Sequence, residues 1–110
     1  ANDGLRGFPV KKMQTNLTSL IQKSQAANAM TALMEIYIPP NYGPRYSKMF
    51  TDTFTHVSEE TNAHLMNFFM LDIASQPELM QNDSLHPNKK AQPLIRDEMY
   101  DSIKKWLNKD

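Results

Sequence analysis

The stretch that decides the fold is AMTALMEIYI, residues 29–38, which Pro39 and Pro40 close. It is short, mostly apolar, and ends in aliphatic and aromatic side chains that pack well on a sheet. Its length, its composition and the paired prolines favour a buried β-strand over a helix. The sequence NYGP at residues 41–44 has turn chemistry and separates this strand from the next element.

An amphipathic helix is predicted on each side of this strand. Upstream, Pro9 stands in a first turn, where a helix tolerates proline, and the helix runs to about Ala27 with Asn28 as its stop. Downstream, a second helix runs to about Thr61. The apolar faces consist of Val10, Met13, Leu17, Leu20 and Ile21 in the first helix and of Tyr46, Phe50, Phe54 and Val57 in the second.

The rest of the chain repeats this alternation. A second buried strand is predicted from Leu65 to Met70. Residues 72–88 are mostly loop, with one helical turn near residues 77–80. The last helix starts near Ala91 or Pro93, and its basic residues near the end suit the helix dipole. Residues 2–8, ahead of the first helix, are expected to form a loop.

The order helix, strand, helix, strand, helix predicts an α/β fold with parallel strands joined by crossovers. Parallel sheets are covered on both faces by other elements. Two strands are too few to make such a sheet. Either one strand escapes detection, or residues 1–110 are the C-terminal part of a single larger α/β domain. We expect the second, because Ala1–Gly4 reads as a loop without an initiator methionine and no linker divides the chain.

The composition excludes several classes of partner. Twelve basic and twelve acidic residues cancel among 110, so no strong field favours nucleic acid. The longest mostly apolar run, Leu65–Ile73, is far shorter than the ~20 residues of a membrane helix, so no stable membrane insertion is expected. There is no cysteine, and the three histidines lack metal-ligand spacing, so no metal site is predicted.

The stretch with a chemical signature is DSLHPN, residues 83–88, in the loop before the last helix. An Asp-x-x-His spacing lets one turn bring the carboxylate of Asp83 to the imidazole of His86. The carboxylate would fix the ring tautomer and stabilise the imidazolium, as in two thirds of a serine-hydrolase triad. A histidine in a loop is more often a surface or structural residue, but this loop follows a strand and precedes a helix, where α/β sheets bind ligands.

The start of the chain supplies a second feature. Asn2-Asp3 precedes the first helix, so in the larger α/β domain we expect it to follow a strand, as the loop at residues 83–88 does. An asparagine side chain there could donate an amide hydrogen bond to a developing oxyanion. On spacing alone, a simple turn at Asn2–Gly4 explains the same residues.

Together these blocks resemble the SGNH (GDSL-type) hydrolases, in particular their bacterial branch of acyl-CoA thioesterases, lysophospholipases and arylesterases. Asn2-Asp3 looks like the end of the G-x-N-D block, and residues 83–88 look like the D-G-x-H-P-N block. DGLRGF at residues 3–8 and IPPNYGPRY at residues 38–46 are similar to the same branch. The resemblance covers essentially all 110 residues and implies a three-layer α/β/α, flavodoxin-like fold.

The resemblance implies a hydrolase of carboxylic esters and thioesters that works without a cofactor. Asp83 and His86 are then the acid and base, and Asn2 is a donor of the oxyanion hole. It also implies a periplasmic or secreted protein. Residues implied in acyl-chain binding are Leu5, Phe8, Ile38, Pro39 and Tyr42, although each could simply pack the core. The alternative is a lipid- or partner-binding fragment of the same fold that has lost the chemistry.

Two departures from the family pattern bear on activity. The family's nucleophile lies in a G-D-S-L block, and neither that block nor the following oxyanion glycine occurs in these 110 residues. The segment is therefore expected to be inactive alone and to need the N-terminal part of its domain as a partner. Ser84 replaces the family glycine, which matters only if the backbone there requires a positive φ. Although residues 82–85 imitate G-D-S-L, one short loop would have to supply all three roles, so Ser84 is not expected to be the nucleophile.

Overall fold

In a computed structural model, which describes residues 2–38 and 43–108, the chain forms two compact units, Ala1–Asn67 and Phe68–Asp110. The first unit contains α1 (Asn2–Leu5), α2 (Val10–Ala26), β1 (Ala32–Met34), α3 (Pro44–Thr61) and β2 (His64–Met66). The second contains two 3₁₀ turns, Pro77–Leu79 and Lys89–Ala91, followed by α4 (Gln92–Leu107). Among the described residues, no helix has both the length and the apolar character that crossing a membrane requires.

The two strands of the first unit pair in parallel, with Ala32 opposite His64 and Met34 opposite Met66. Since α3 connects them, this is the strand–helix–strand crossover that the sequence predicts. The predicted fold class, part of an α/β fold with two parallel strands and three main helices, is confirmed.

The core of the first unit lies between α2, α3 and the strands. One buried cluster consists of Met13, Ile38, Phe50 and Phe54, and the rings of Phe50 and Phe54 meet edge to face with centroids 5.5 Å apart. A second cluster joins Ile21, Val57 and Ala63. The 3.6-residue periodicity of both helices therefore predicts their buried faces correctly, except that Leu20 is 64% exposed.

The second unit has its own buried cluster, formed by Met70, Ile73, Leu79 and Ala91. The first 3₁₀ turn contributes Leu79 and the second contributes Ala91, so the chain between them is anchored at both ends. Residue Ile95 of α4 packs against this cluster, although no residue of α4 is fully buried.

Three predicted boundaries are wrong. The strand predicted at residues 29–38 is Ala32–Met34, and the one predicted at Leu65–Met70 is His64–Met66. A strand extends only as far as its partner supplies hydrogen bonds, and here the ladder ends at the bond from the Glu35 N–H to the Met66 carbonyl, 3.0 Å. Residues 2–8, predicted as loop, begin with the helical turn α1. That turn fits because Gly4 packs closely against the core, a contact that local sequence does not reveal.

Candidate active site

The loop that carries the Asp-x-x-His pair is a narrow hairpin. Met80 and Pro87 form an antiparallel bridge at its base. The Gln81 N–H donates to the His86 carbonyl at 2.7 Å, and the Asn88 N–H donates to the Leu79 carbonyl at 2.8 Å. At the tip, the Ser84 N–H donates to the Gln81 carbonyl at 3.0 Å. Hydrogen bonds therefore join the two limbs of the hairpin at its base, and a further hydrogen bond closes the turn at its tip.

Within this hairpin, Asp83 makes three hydrogen bonds. Its Oδ1 accepts the backbone N–H of Leu85 at 2.9 Å and that of His86 at 3.0 Å. Its Oδ2 lies 2.6 Å from Nδ1 of His86. The contact that the Asp-x-x-His spacing predicts is thus present, and the backbone bonds hold the carboxylate in the orientation that makes it.

The hydrogen bond from His86, followed by the two backbone N–H groups, lowers the pKa of the Asp83 carboxyl from 3.8 to about 2. Asp83 is therefore ionised at neutral pH. Because an ionised carboxylate only accepts, Nδ1 of His86 must carry the shared proton. Whenever the ring carries a single proton, Nε2 is the unprotonated nitrogen, and the His86 side chain is 62% exposed, so this nitrogen can reach a reacting group.

Ser84, at the tip, adopts the left-handed conformation with φ of 58°. This is the condition under which the family's glycine matters, because a residue with a Cβ is strained there. The hairpin thus contains a serine where its backbone favours glycine.

The other candidate residues belong to the first unit. Asn2 is the first residue of α1, and its side chain lies outside what the structure describes, as do Pro39 and Tyr42 altogether. Leu5 and Phe8 are half-buried, and Phe8 packs against the Phe50 cluster. Their roles in the oxyanion hole and in acyl binding stay predictions.

Ile38 has two roles in the structure. It is 5% exposed within the core of the first unit, and it also lines an open groove of about 580 Å³. The sequence reasoning missed the other side of this groove, which α3 provides. A signal was available: Ser47 and Thr51 are small polar residues one helical turn apart on a helix whose buried face also contains Phe50, Phe54 and Val57. The groove is lined by Tyr37, Ile38, Pro44, Ser47, Lys48, Thr51 and Asp52.

The remaining histidines show no sign of a site. His56 pairs with Glu60 one turn along α3 at 3.1 Å, on an exposed surface. His64 begins β2 and is half-buried. Within the described residues, no three His, Cys, Asp or Glu side chains come together as a metal site would require.

Comparison with known sequences identifies relatives over nearly the whole chain. No protein-family model matches. An arylesterase of Vibrio mimicus is 42% identical over 107 residues, which are 97% of this chain and 54% of that protein. Thioesterase 1/protease 1/lysophospholipase L1 of Escherichia coli is 39% identical over 109 residues, 99% of this chain and 52% of that protein. The chain thus spans about half the length of the curated relatives it matches.

Solved structures that superimpose on this chain are also esterases. The psychrotrophic esterase EstA from Pseudoalteromonas, in a structure inhibited by monoethylphosphonate, superimposes with a TM-score of 0.97 at 88% identity, covering 99% of this chain and 60% of that one. AlinE4, an SGNH-hydrolase family esterase, superimposes with a TM-score of 0.70 at 28% identity, covering 98% of this chain and 57% of that one. The resemblance predicted from the sequence is confirmed.

Proposed function

We propose that this chain, which is homologous to part of the SGNH esterases, carries the acid and the base of a serine hydrolase of esters and thioesters. The observation that carries the proposal is the 2.6 Å contact between Oδ2 of Asp83 and Nδ1 of His86. This contact leaves Nε2 of an exposed imidazole free to exchange a proton.

The proposed reaction has two steps. Nε2 of His86 takes the proton of a serine hydroxyl as its oxygen attacks the acyl carbonyl, and the imidazolium is stabilised by the ionised Asp83. The imidazolium then gives that proton to the leaving alkoxide or thiolate, which departs and leaves an acyl-serine. His86 next deprotonates a water that attacks this ester, and the proton returns to the serine oxygen as the carboxylic acid is released.

The oxyanion formed in each step needs hydrogen-bond donors. We assign one donor to the side-chain amide of Asn2, by its match to the family's G-x-N-D block. Removal of one such donor typically lowers kcat by about 10²–10³. We assign binding of the acyl chain of the substrate to Leu5, Phe8, Ile38, Pro39 and Tyr42.

The nucleophile is proposed to lie in a part of the protein outside these 110 residues. No G-D-S-L block occurs in them, and the chain matches only about half of each relative. Ser84 is unsuited to the role because it lies at the tip of the same hairpin, between the acid and the base. Residues 1–110 would then be the C-terminal part of one hydrolase domain, and the N-terminal part of that domain would be their partner.

The names of the relatives support three substrate classes: aryl esters, acyl thioesters and lysophospholipids. All three present an acyl carbonyl to the same chemistry, which needs no cofactor. We propose a periplasmic or secreted location on the family resemblance, and expect neither nucleic-acid binding nor stable membrane insertion.

The decisive experiment is intact-protein mass spectrometry of the complete protein after treatment with a serine-reactive fluorophosphonate. We expect one label on a serine outside residues 1–110, and loss of labelling and of aryl-ester hydrolysis in His86→Ala. The relevance of this probe is supported by the phosphonate-inhibited structure of the Pseudoalteromonas esterase.

Two results would contradict the proposal. A label on Ser84 would overturn the assignment of the hairpin, and His86→Ala with near-normal turnover would refute the base. No label at all would favour the alternative, a lipid- or partner-binding fragment without chemistry.

A further inference from the structure

The Asp83–His86 pair is exposed, and local hydrogen bonds fix its internal geometry. All three hydrogen bonds of Asp83 stay within residues 83–86. The Asp83 and His86 side chains are 43% and 62% exposed. The position of the imidazole relative to the rest of its unit must therefore come from the base of the hairpin.

At that base, the side chain of Asn88 adds connections to the backbone bonds and the bridge between Met80 and Pro87. Its side-chain Nδ2 donates to the Glu78 carbonyl at 2.8 Å and to the Met80 carbonyl at 3.3 Å. Its Oδ1 accepts the Ala91 N–H at 3.2 Å, which caps the second 3₁₀ turn. One half-buried carboxamide thus joins the outgoing limb of the hairpin, two residues after His86, to the incoming limb and to the entry of α4.

These partners connect the hairpin to buried residues. The backbone N–H of Asn88 donates to Leu79, which is 7% exposed, and Ala91 is 0% exposed. Leu79 and Ala91 belong to the same buried cluster. The Asn88 side chain bonds to the residues on both sides of Leu79 and to Ala91, so it connects the loop to that buried cluster.

We propose that the carboxamide of Asn88 is the positioning group for His86, fixing the hairpin against residues 78–80 so that the imidazole lies where proton transfer occurs. This inference rests on the proposed function, since it concerns the same base. The two donor bonds of Nδ2 carry the effect, because they join the limbs of the hairpin directly.

The variants are designed to separate positioning from capping. Asn88→Ala removes the donors and the cap. Asn88→Asp keeps an acceptor for the Ala91 N–H and therefore keeps the cap, but it replaces both donor bonds with repulsion between a carboxylate oxygen and the carbonyls of Glu78 and Met80. Asn82→Ala is the matched control, because Asn82 is an exposed asparagine of the same loop.

The experiment uses the complete protein. Fluorophosphonate labelling taken to completion counts competent sites, and kcat for a p-nitrophenyl ester is expressed per labelled site, with KM measured alongside. A displacement of about 1 Å can cost about 10²-fold in rate, so we expect both Asn88 variants to lose roughly 10- to 100-fold in kcat with KM within about 2-fold. Asn82→Ala should match the wild type.

A purely structural role would give a different pattern. It would lower the fraction of labelled sites and leave kcat per labelled site unchanged, which would overturn the inference. Wild-type kcat in Asn88→Asp would also overturn it, because the donors would then be irrelevant. Failure of the proposed function is separately visible, since the wild type itself would then show neither label nor turnover.

Discussion

At the scale of single residues, Asp83 is the group whose ionisation the structure changes most clearly. The hydrogen bond from His86 and the N–H groups of Leu85 and His86 lower the pKa of its carboxyl from 3.8 to about 2. Because the folded-state pKa lies below the ordinary one, the contribution of Asp83 to the hairpin is complete above about pH 4. It is lost as the pH falls from there through 2.

We therefore expect the ¹³C carboxyl resonance of Asp83 to titrate near pH 2 by NMR. His86→Ala removes the side-chain hydrogen bond that lowers the pKa of Asp83 most, while the two backbone N–H bonds remain. The pKa of Asp83 should therefore rise only part of the way to 3.8. An ordinary carboxyl titration in the wild type would show that the 2.6 Å contact does not persist in solution.

Ser84 shows what the sequence could and could not predict at this scale. The Asp83–His86 contact could be predicted, because one turn can bring an acid within reach of a histidine three residues later. The φ of 58° at Ser84 does not follow, because the same tetrapeptide could turn in several ways. The bridge of Met80 with Pro87 and the bonds of Asn88 close the hairpin around this turn, and local sequence does not reveal them.

The strain at Ser84 predicts that Ser84→Gly stabilises the protein. A residue other than glycine costs about 1–2 kcal/mol in the left-handed region. The greater freedom of glycine in the unfolded chain offsets about 0.4–1 kcal/mol. We expect a net gain of about 0.5–1 kcal/mol in the free energy of unfolding, measured by urea denaturation of the complete protein. Ser84→Ala, which keeps the Cβ, is the control; a gain of equal size there would exclude backbone strain as the cause.

At the scale of elements, α1 is a helical turn that sequence patterns miss, and Gly4 explains how it fits against the core. A Cβ on Gly4 would lie 2.8 Å from Cγ2 of Ile38 and 2.9 Å from Cε2 of Phe50. These neighbours are far away in sequence, so no local periodicity reveals the contact. The buried faces of α2 and α3 could be predicted because their residues repeat at helical spacing.

Gly4→Ala should therefore destabilise the protein, although alanine is the better helix former by about 1 kcal/mol. The added methyl group must displace the buried Ile38 and Phe50, and overpacking of this kind costs about 1–3 kcal/mol. Chemical denaturation would measure the loss. Arg6→Ala, at an exposed neighbouring position, should stay within about 0.5 kcal/mol of the wild type. A stabilised Gly4→Ala protein would mean that α1 does not pack as closely as the structure shows.

At the scale of the whole molecule, the alternation of helices and strands predicts the parallel crossover, because that order has few compact solutions. It does not predict that Phe68–Asp110 forms a compact unit with its own core. Met70, Ile73, Leu79 and Ala91 follow neither a helical nor a strand period, so only their packing shows that they belong together. The predicted strand therefore ends early, and its apolar continuation joins that second core.

The prediction at this scale follows from the proposal that the acid and base lie in this chain and the nucleophile lies outside it. On this proposal the 110 residues supply the acid and base, and they contain no G-D-S-L block, so this chain alone should neither hydrolyse an aryl ester nor take a fluorophosphonate label. Addition of the remainder of the protein should restore aryl-ester hydrolysis and labelling, because His86 can then take the proton of the nucleophilic serine. His86→Ala in the 110-residue chain is the matched control and should abolish the restoration without preventing association. A His86-dependent esterase rate from the 110 residues alone would show instead that the nucleophile lies within them, and the assignment of every group around the hairpin would have to change with it.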